Sequence, residues 1–130
     1  MKSKPTLANS ELAIIELLWD SGTMTARDIR ERLYSDKSGA QHGTVQKLLQ
    51  RLENKGYITR DSSQFTHTFT AKISREEYAG SQLESLASKL TSGSIAPLIT
   101  HLMETSRISE DDIAEIRALI DEYAEKEKKK

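Results

Sequence analysis

The N-terminal half of the chain repeats apolar residues at the spacing of three short helices. The first helix is predicted between the cap-type residues Asn9 and Ser10 and the helix-ending Gly22. The second begins at the Thr-Ala-Arg-Asp capping box 25–28, in which a hydroxyl and a carboxylate accept hydrogen bonds from free backbone N–H groups. The third helix is predicted over about 41–55.

Two strands are predicted after the third helix. Residues 57–60 are typical of a strand, and residues 65–70 alternate aromatic and β-branched residues as a second strand would. The polar stretch 61–64 between them is typical of a turn. Three helices followed by a hairpin form a winged helix-turn-helix. The predicted fold is therefore mainly α with a small β-hairpin, and its winged-helix domain covers residues 1–73.

The remaining residues, 74–130, predict three further helices. A capping box at 74–77 opens the first of them, Gly93 ends it, and Ser94 is predicted to cap a short second helix. The capping box at 109–112 opens the last helix.

The apolar stripes of these three helices are narrow, and a core built from them alone would be at the lower size limit for independent stability. Pairing with a second copy would supply the missing burial, so we predict a dimerisation domain over residues 74–130. The simpler alternative is that these helices pack back on the first domain. The positions predicted to form the dimer interface are Leu83, Leu86, Leu90, Leu98, Leu102, Ile113, Ile116 and Ile120.

The charge distribution separates the same two parts. The chain has a net charge of −1, but residues 1–73 hold 11 Lys/Arg and 8 Asp/Glu, whereas residues 74–130 hold 8 and 12. The first part is therefore basic and suited to phosphates, and the acidic second part is suited to another role.

Composition excludes several classes of protein. The chain has no cysteine, so disulfides, thiolate zinc sites and cysteine nucleophiles are excluded. No apolar stretch approaches the roughly 18 residues of a membrane span, and no apolar run follows the basic start. We expect a cytoplasmic protein that needs no cofactor or metal.

The third predicted helix carries the candidate chemistry. Outside its buried stripe its residues are polar or basic, and none is acidic before Glu53. Gln and Thr near a helix start suit base edges, Lys can pair with guanine, and basic residues further along suit phosphates. The residues predicted to contact DNA are Gln41, His42, Gly43, Thr44, Gln46, Lys47, Gln50, Arg51, Lys55 and, on the next strand, Arg60.

Three segments resemble the penicillinase repressor family (the BlaI/MecI/CopY type): LANSELAIIELLW at 7–19, TVQKLLQRLENKGYI at 44–58 and ISREEY at 73–78. The resemblance implies a homodimer that binds a palindromic operator, with intertwined C-terminal helices. It also implies that four positions face DNA: Gly43, Thr44, Lys47 and Arg51.

The chain departs from this family at two places. Where members often carry Gly-Arg at the wing tip, this chain has Gln64-Phe65, so a wing arginine is missing. In β-lactam-responsive members a sensor-linked protease cuts a bond that is often Asn-Phe, and His101-Leu102 is the aligned candidate here. The copper-sensing branch is ruled out because its cysteine cluster is absent.

Three alternative functions differ in how well they fit the sequence. An enzyme is disfavoured because the three histidines are widely separated and no glycine-rich phosphate loop is present. The acidic run 110–112 could bind a divalent cation, but it is more typical of a helix start, where the helix dipole favours negative charge. A protein-binding winged helix would expose apolar anchors, and Phe65 is the one feature that fits it, unless that ring packs on the hairpin. A winged-helix regulator of unrelated genes, with a different release signal, also stays open.

Overall fold

The structure, a computed structural model, describes residues 5–34 and 39–129. The elements follow the predicted order, with one additional strand after the first helix. No helix in the described ranges has the length and apolarity needed to cross a membrane. The elements are α1 (Asn9–Ser21), β1 (Thr23–Thr25), α2 (Ala26–Leu33), α3 (His42–Asn54), β2 (Ile58–Asp61), β3 (Thr68–Ala71), α4 (Arg75–Leu90), α5 (Ala96–Glu104) and α6 (Glu110–Lys128).

The N-terminal helices begin at caps of two kinds. The predicted caps of α1 were wrong: the helix is preceded by Ala8, whose backbone N–H donates to Glu11 Oε1 at 2.9 Å. The predicted capping box of α2 is confirmed, because Thr25 Oγ1 accepts from the N–H of Asp28 and the Asp28 carboxylate accepts from that of Thr25. Each cap satisfies N–H groups that have no partner inside the helix.

A three-stranded antiparallel sheet completes the winged helix, in the order β1-β3-β2. The predicted hairpin is present, but its second strand begins at Thr68 and not at Phe65, because the last pair of the ladder joins Asp61 to Thr68. The prediction missed β1, whose three residues pair with Thr68–Thr70. Residues 62–67 therefore form a loop beyond the sheet, the wing.

One apolar core holds α1, α2, α3 and the sheet together. The predicted buried stripe of α3 is confirmed, and Tyr57 and Phe69 enter the same core from the sheet. Since the buried stripe fixes one side of α3, the other residues of the helix face solvent. The most deeply buried apolar side chains are Ile14, Ile15, Leu18, Ile29, Val45, Leu49, Leu52, Tyr57 and Phe69.

The chain divides into two compact units between Ser85 and Leu86, inside α4. The start of α4 belongs to the winged unit because Tyr78 is buried there, and its hydroxyl accepts from the backbone N–H of Leu7 at 3.0 Å. The ring of Tyr78 also packs edge-on against Tyr57, with centroids 5.6 Å apart. A separate dimerisation domain starting at residue 74 stays a prediction, but the first turns of α4 contribute to the winged-helix core.

The C-terminal helices have well-formed starts and little buried surface. The predicted capping box at Ser109 is present, and at the start of α4 Ser74 Oγ accepts from the N–H of Glu77 at 3.0 Å. The predicted cap at Ser94 was wrong, because α5 starts after Ile95 and the Ser94 carbonyl accepts from Thr91 Oγ1. Ala87 is the one buried residue in 86–129. Large apolar side chains are exposed there instead, namely Leu86, Leu90, Leu102, Met103, Leu119, Ile120 and Tyr123.

Candidate nucleic-acid interface

The solvent side of α3 presents a continuous polar and basic surface. The helix has 13 residues and is therefore about 20 Å long. Within it, Glu53 is the one acidic residue, and it lies in the last turn. The side chains or backbone positions exposed along this surface are Gly43, Thr44, Gln46, Lys47, Gln50 and Arg51. The structure thus brings these predicted residues together on one side of one helix.

The start of α3 is connected to α2 by His42. This half-buried ring has Nδ1 3.4 Å from Nη1 of the mostly buried Arg30, and its Nε2 is 3.1 Å from Nε2 of Gln46. Gln41, also half-buried, precedes the helix as its N-cap residue. Both residues lie at the edge of the exposed surface, and His42 also links the start of α3 to α2.

Lys55, at the other end of α3, has a partner inside the protein. Its Nζ lies 2.8 Å from Oε1 of Glu11, whose side chain is only 1% exposed. Burial raises the pKa of the Glu11 carboxyl, but hydrogen bonds from Lys55 and from the Ala8 N–H, with the charges of Lys55 and Arg51, outweigh it and hold the pKa below its usual value. We therefore assign Lys55 to this ion pair, although the sequence alone suggested a DNA contact.

Arg60 is held in the same way on β2. Its Nη2 and Nε lie 2.7 and 3.0 Å from Oε1 of Glu53, and its guanidinium lies 5.0 Å from the centre of the Phe69 ring. The remaining guanidinium nitrogen of Arg60, Nη1, lies 3.3 Å from Nδ1 of His67. The predicted phosphate contact is thus a side chain that already joins α3 to the sheet.

A cleft of about 260 Å³ lies beside the start of α3. It is bounded by the first residues of α2, by His42 and Gln46 of α3, and by residues 65–67 of the wing. Sequence reasoning missed Arg27, which lines this cleft and is exposed, with an i,i+4 ion pair to Glu31. The sequence signal that could have identified Arg27 is its position in the first turn of α2, where the helix dipole disfavours a basic residue.

The wing itself carries no basic residue between Ser62 and Thr66. Its turn begins at Asp61, whose Oδ1 accepts from the N–H of Ser63 at 2.9 Å. Hydrogen bonds from the side chain and backbone of Ser63 lower the pKa of the Asp61 carboxyl. Phe65, near the tip, is fully exposed, so its ring does not pack on the hairpin.

Comparisons with known proteins agree over most of the chain. The model of the family described as penicillinase repressor matches residues 7–122. The penicillinase repressor of Bacillus licheniformis is 21% identical over 128 residues, which are 98% of this chain and 99% of that protein. The methicillin resistance regulatory protein MecI of Staphylococcus aureus is 20% identical over 114 residues, or 88% of this chain and 92% of MecI.

Among solved structures, the solution structure of the DNA-binding domain of the repressor BlaI covers 60% of this chain and 94% of its own, at 24% identity and a TM-score of 0.49. The family match spans the winged unit, with the exposed face of α3, and most of the C-terminal helices. The chain therefore belongs to the penicillinase repressor family, whose members are DNA-binding regulators and not enzymes, as the sequence predicted.

Proposed function

We propose that this protein is a transcriptional repressor that binds a palindromic operator as a homodimer and inserts α3 of each protomer into the major groove. The observation that supports this most directly is the exposed face of α3, which carries Gln, Thr, Lys and Arg and is acid-free until the last turn. The buried stripe on the opposite side holds that face outward.

The residues of this face have different roles in the proposal. Thr44, Gln46 and Lys47 lie in the first turns of α3, where a recognition helix meets base edges. Lys47 can donate to guanine O6 and N7, and Gln46 to adenine. Arg51 lies one turn beyond Lys47 and neutralises a phosphate, which positions the helix without specifying sequence.

Lys47→Ala should therefore weaken binding to the operator by roughly 1–3 kcal/mol and relax the base preference at one position of each half-site. Arg51→Ala should weaken binding to all DNA alike and reduce the salt dependence of the binding constant. Fluorescence anisotropy with DNA selected from a random pool by the wild-type protein, at several salt concentrations, separates the two effects.

Lys72→Ala is the matched control for this experiment. Lys72 is exposed and follows β3 at the end of the sheet opposite the wing, so removing its charge should leave operator binding unchanged. Equal losses in Lys47→Ala and Lys72→Ala would show that Lys47 contributes general charge and does not contact a base.

The dimer places two copies of α3 on one side of the duplex, in successive major grooves about 34 Å apart. The apolar side chains exposed on α4, α5 and α6 support it, since a second copy of the same helices would cover them. The proposed interface keeps the eight predicted positions, each of which is half-buried or exposed in the single chain.

Release from DNA by cleavage of the His101–Leu102 bond is the final part of the proposal. The bond lies inside α5, where the carbonyls of His101 and Leu102 accept from the N–H groups of Thr105 and Arg107 at 3.0 and 2.9 Å. A protease therefore needs α5 to unwind first. Mass spectrometry of the protein from β-lactam-treated cells should find fragments that end at His101 and begin at Leu102. Derepression with intact protein would instead favour a different release signal.

A further inference from the structure

The wing ends in a single aromatic side chain that the rest of the protein does not contact. The β2–β3 ladder stops at the pair Asp61–Thr68, so six residues form the loop beyond it. Half of such a loop reaches at most about 10 Å past the sheet. Phe65 lies near the tip and is fully exposed.

This ring lies on the same side of the winged unit as the start of α3. Phe65, Thr66 and His67 line one cleft together with His42 and Gln46. DNA that places a major groove over Gln46 consequently has its adjacent backbone and minor groove beside the wing.

The tip of the wing carries no charged side chain. Residues 62–66 are Ser, Ser, Gln, Phe and Thr. The two guanidiniums that line the cleft beside Phe65, those of Arg27 and Arg60, belong to α2 and β2 and are ion-paired with Glu31 and Glu53. The B-DNA minor groove is about 6 Å wide and 7.5 Å deep, within reach of the loop. Apolar side chains enter this groove by packing on sugars or by wedging between base pairs.

We propose that Phe65 is the DNA contact of the wing and enters the minor groove as an apolar wedge; this rests on the proposed function. It gives the protein a contact with little salt dependence, unlike the ionic contact of Arg51. It also favours operators with a flexible pyrimidine–purine step at the wing position, because such steps unstack most easily.

The surroundings of Phe65 favour DNA over a protein partner. In the described residues from 5 to 82 it is the one exposed large apolar side chain. Protein interfaces depend on clusters of such residues in a desolvated centre. A lone ring between Ser63, Gln64 and Thr66 instead suits a narrow groove with polar edges and apolar sugar walls.

Phe65→Ala tests the proposal on the full-length protein, with Gln64→Ala as the neighbouring control. Operator affinity should fall about tenfold in Phe65→Ala, because aromatic contacts with bases contribute this much or more, and the salt dependence of binding should not change. The ring is fully exposed, so circular dichroism should show an unaltered fold. Operator affinity equal to that of the wild type would overturn the proposal, as would an equal loss in Gln64→Ala.

A tryptophan at the same position gives a second measurement. The operator should quench the emission of Phe65→Trp, whereas Tyr123→Trp, at an exposed aromatic position on α6 outside the proposed DNA contacts, should respond only as the wild type does. Trp19, the single native tryptophan, is present in every sample and is subtracted with the wild-type signal. If the Phe65→Trp protein binds the operator and its emission does not change, the wedge proposal is contradicted but the proposed function is not. If the wild type binds no DNA in a salt-dependent way, the proposed function itself fails.

Discussion

Leu90→Asp is expected to produce a monomer and to weaken operator binding by at least about a hundredfold. Leu90 is 69% exposed in the single chain, so the substitution should not disturb the folded protomer. In the proposed dimer the new carboxylate would be buried without a partner, which strongly disfavours association. A monomer binds one half-site only and loses the gain of two to four orders of magnitude that linked sites provide.

Sedimentation velocity at micromolar concentration would measure the first effect and anisotropy with the operator the second. Ser88→Asp adds the same charge to the same helix, but Ser88 lies on the side away from the stripe of Leu83, Leu86 and Leu90. The control should stay dimeric. A dimeric Leu90→Asp protein would place the interface elsewhere.

A point substitution tests the dimer more cleanly than removal of residues 74–130. Such a deletion would take away Tyr78, which packs against Tyr57 and accepts a hydrogen bond from the Leu7 backbone. Weak binding by that fragment would then reflect a damaged core as well as a lost partner. Leu90→Asp leaves these contacts in place.

Lys55→Ala is expected to lower the free energy of unfolding by about 2–3 kcal/mol, because it leaves the buried Glu11 carboxylate without its cation. The figure is below that for fully buried pairs because Lys55 is itself 30% exposed. Urea unfolding would measure the change. Lys47→Ala, which removes an exposed charge from the same helix, should stay within about 0.5 kcal/mol of the wild type.

The ion pair between Glu11 and Lys55 also makes the stability of the protein depend on pH. The pKa of Glu11 is lower in the folded protein than its ordinary value of 4.5, so the pair contributes fully above that value and is lost as the pH falls through the folded pKa. Lys55→Ala should lack this contribution and show a flatter acid limb. Adding Glu11→Gln should recover part of the lost stability, since no buried charge then remains.

Lys55→Ala also tests the expectation that Lys55 contacts DNA. Under conditions where Lys55→Ala is fully folded, its operator affinity should stay close to that of the wild type, because its ammonium is bound to Glu11. A loss as large as that of Lys47→Ala would return Lys55 to the DNA contacts.

Local patterns made much of the fold predictable. The three N-terminal helices, the buried stripe of α3, the capping boxes at Thr25 and Ser109 and the Ser74 hydroxyl cap each depend on residues within a few positions of one another. The exposed face of α3 was predictable for the same reason. Strand β1 was not, because its three residues form a strand only by pairing with β3, more than 40 residues later.

The ion pairs of Lys55 and Arg60 could not be predicted for the same reason. Lys55 and Arg60 have the right chemistry for phosphates, and nothing in their local sequence shows that carboxylates occupy them. The partner of Lys55 is 44 residues away, and that of Arg60 is seven residues away across the turn from α3 to β2. Pairings of this kind depend on the fold.

The contacts at the two ends of α3 hold the helix in one position before it meets DNA. His42 connects its start to Arg30, Lys55 connects its end to Glu11, and its buried stripe lies in the core. A helix held in this way loses little conformational entropy when it binds DNA, so more of the free energy of each base contact contributes to binding affinity. In the proposed complex, a helix held at both ends does not bend to follow an imperfect half-site, so the DNA would have to deform to accommodate a mismatch in groove geometry.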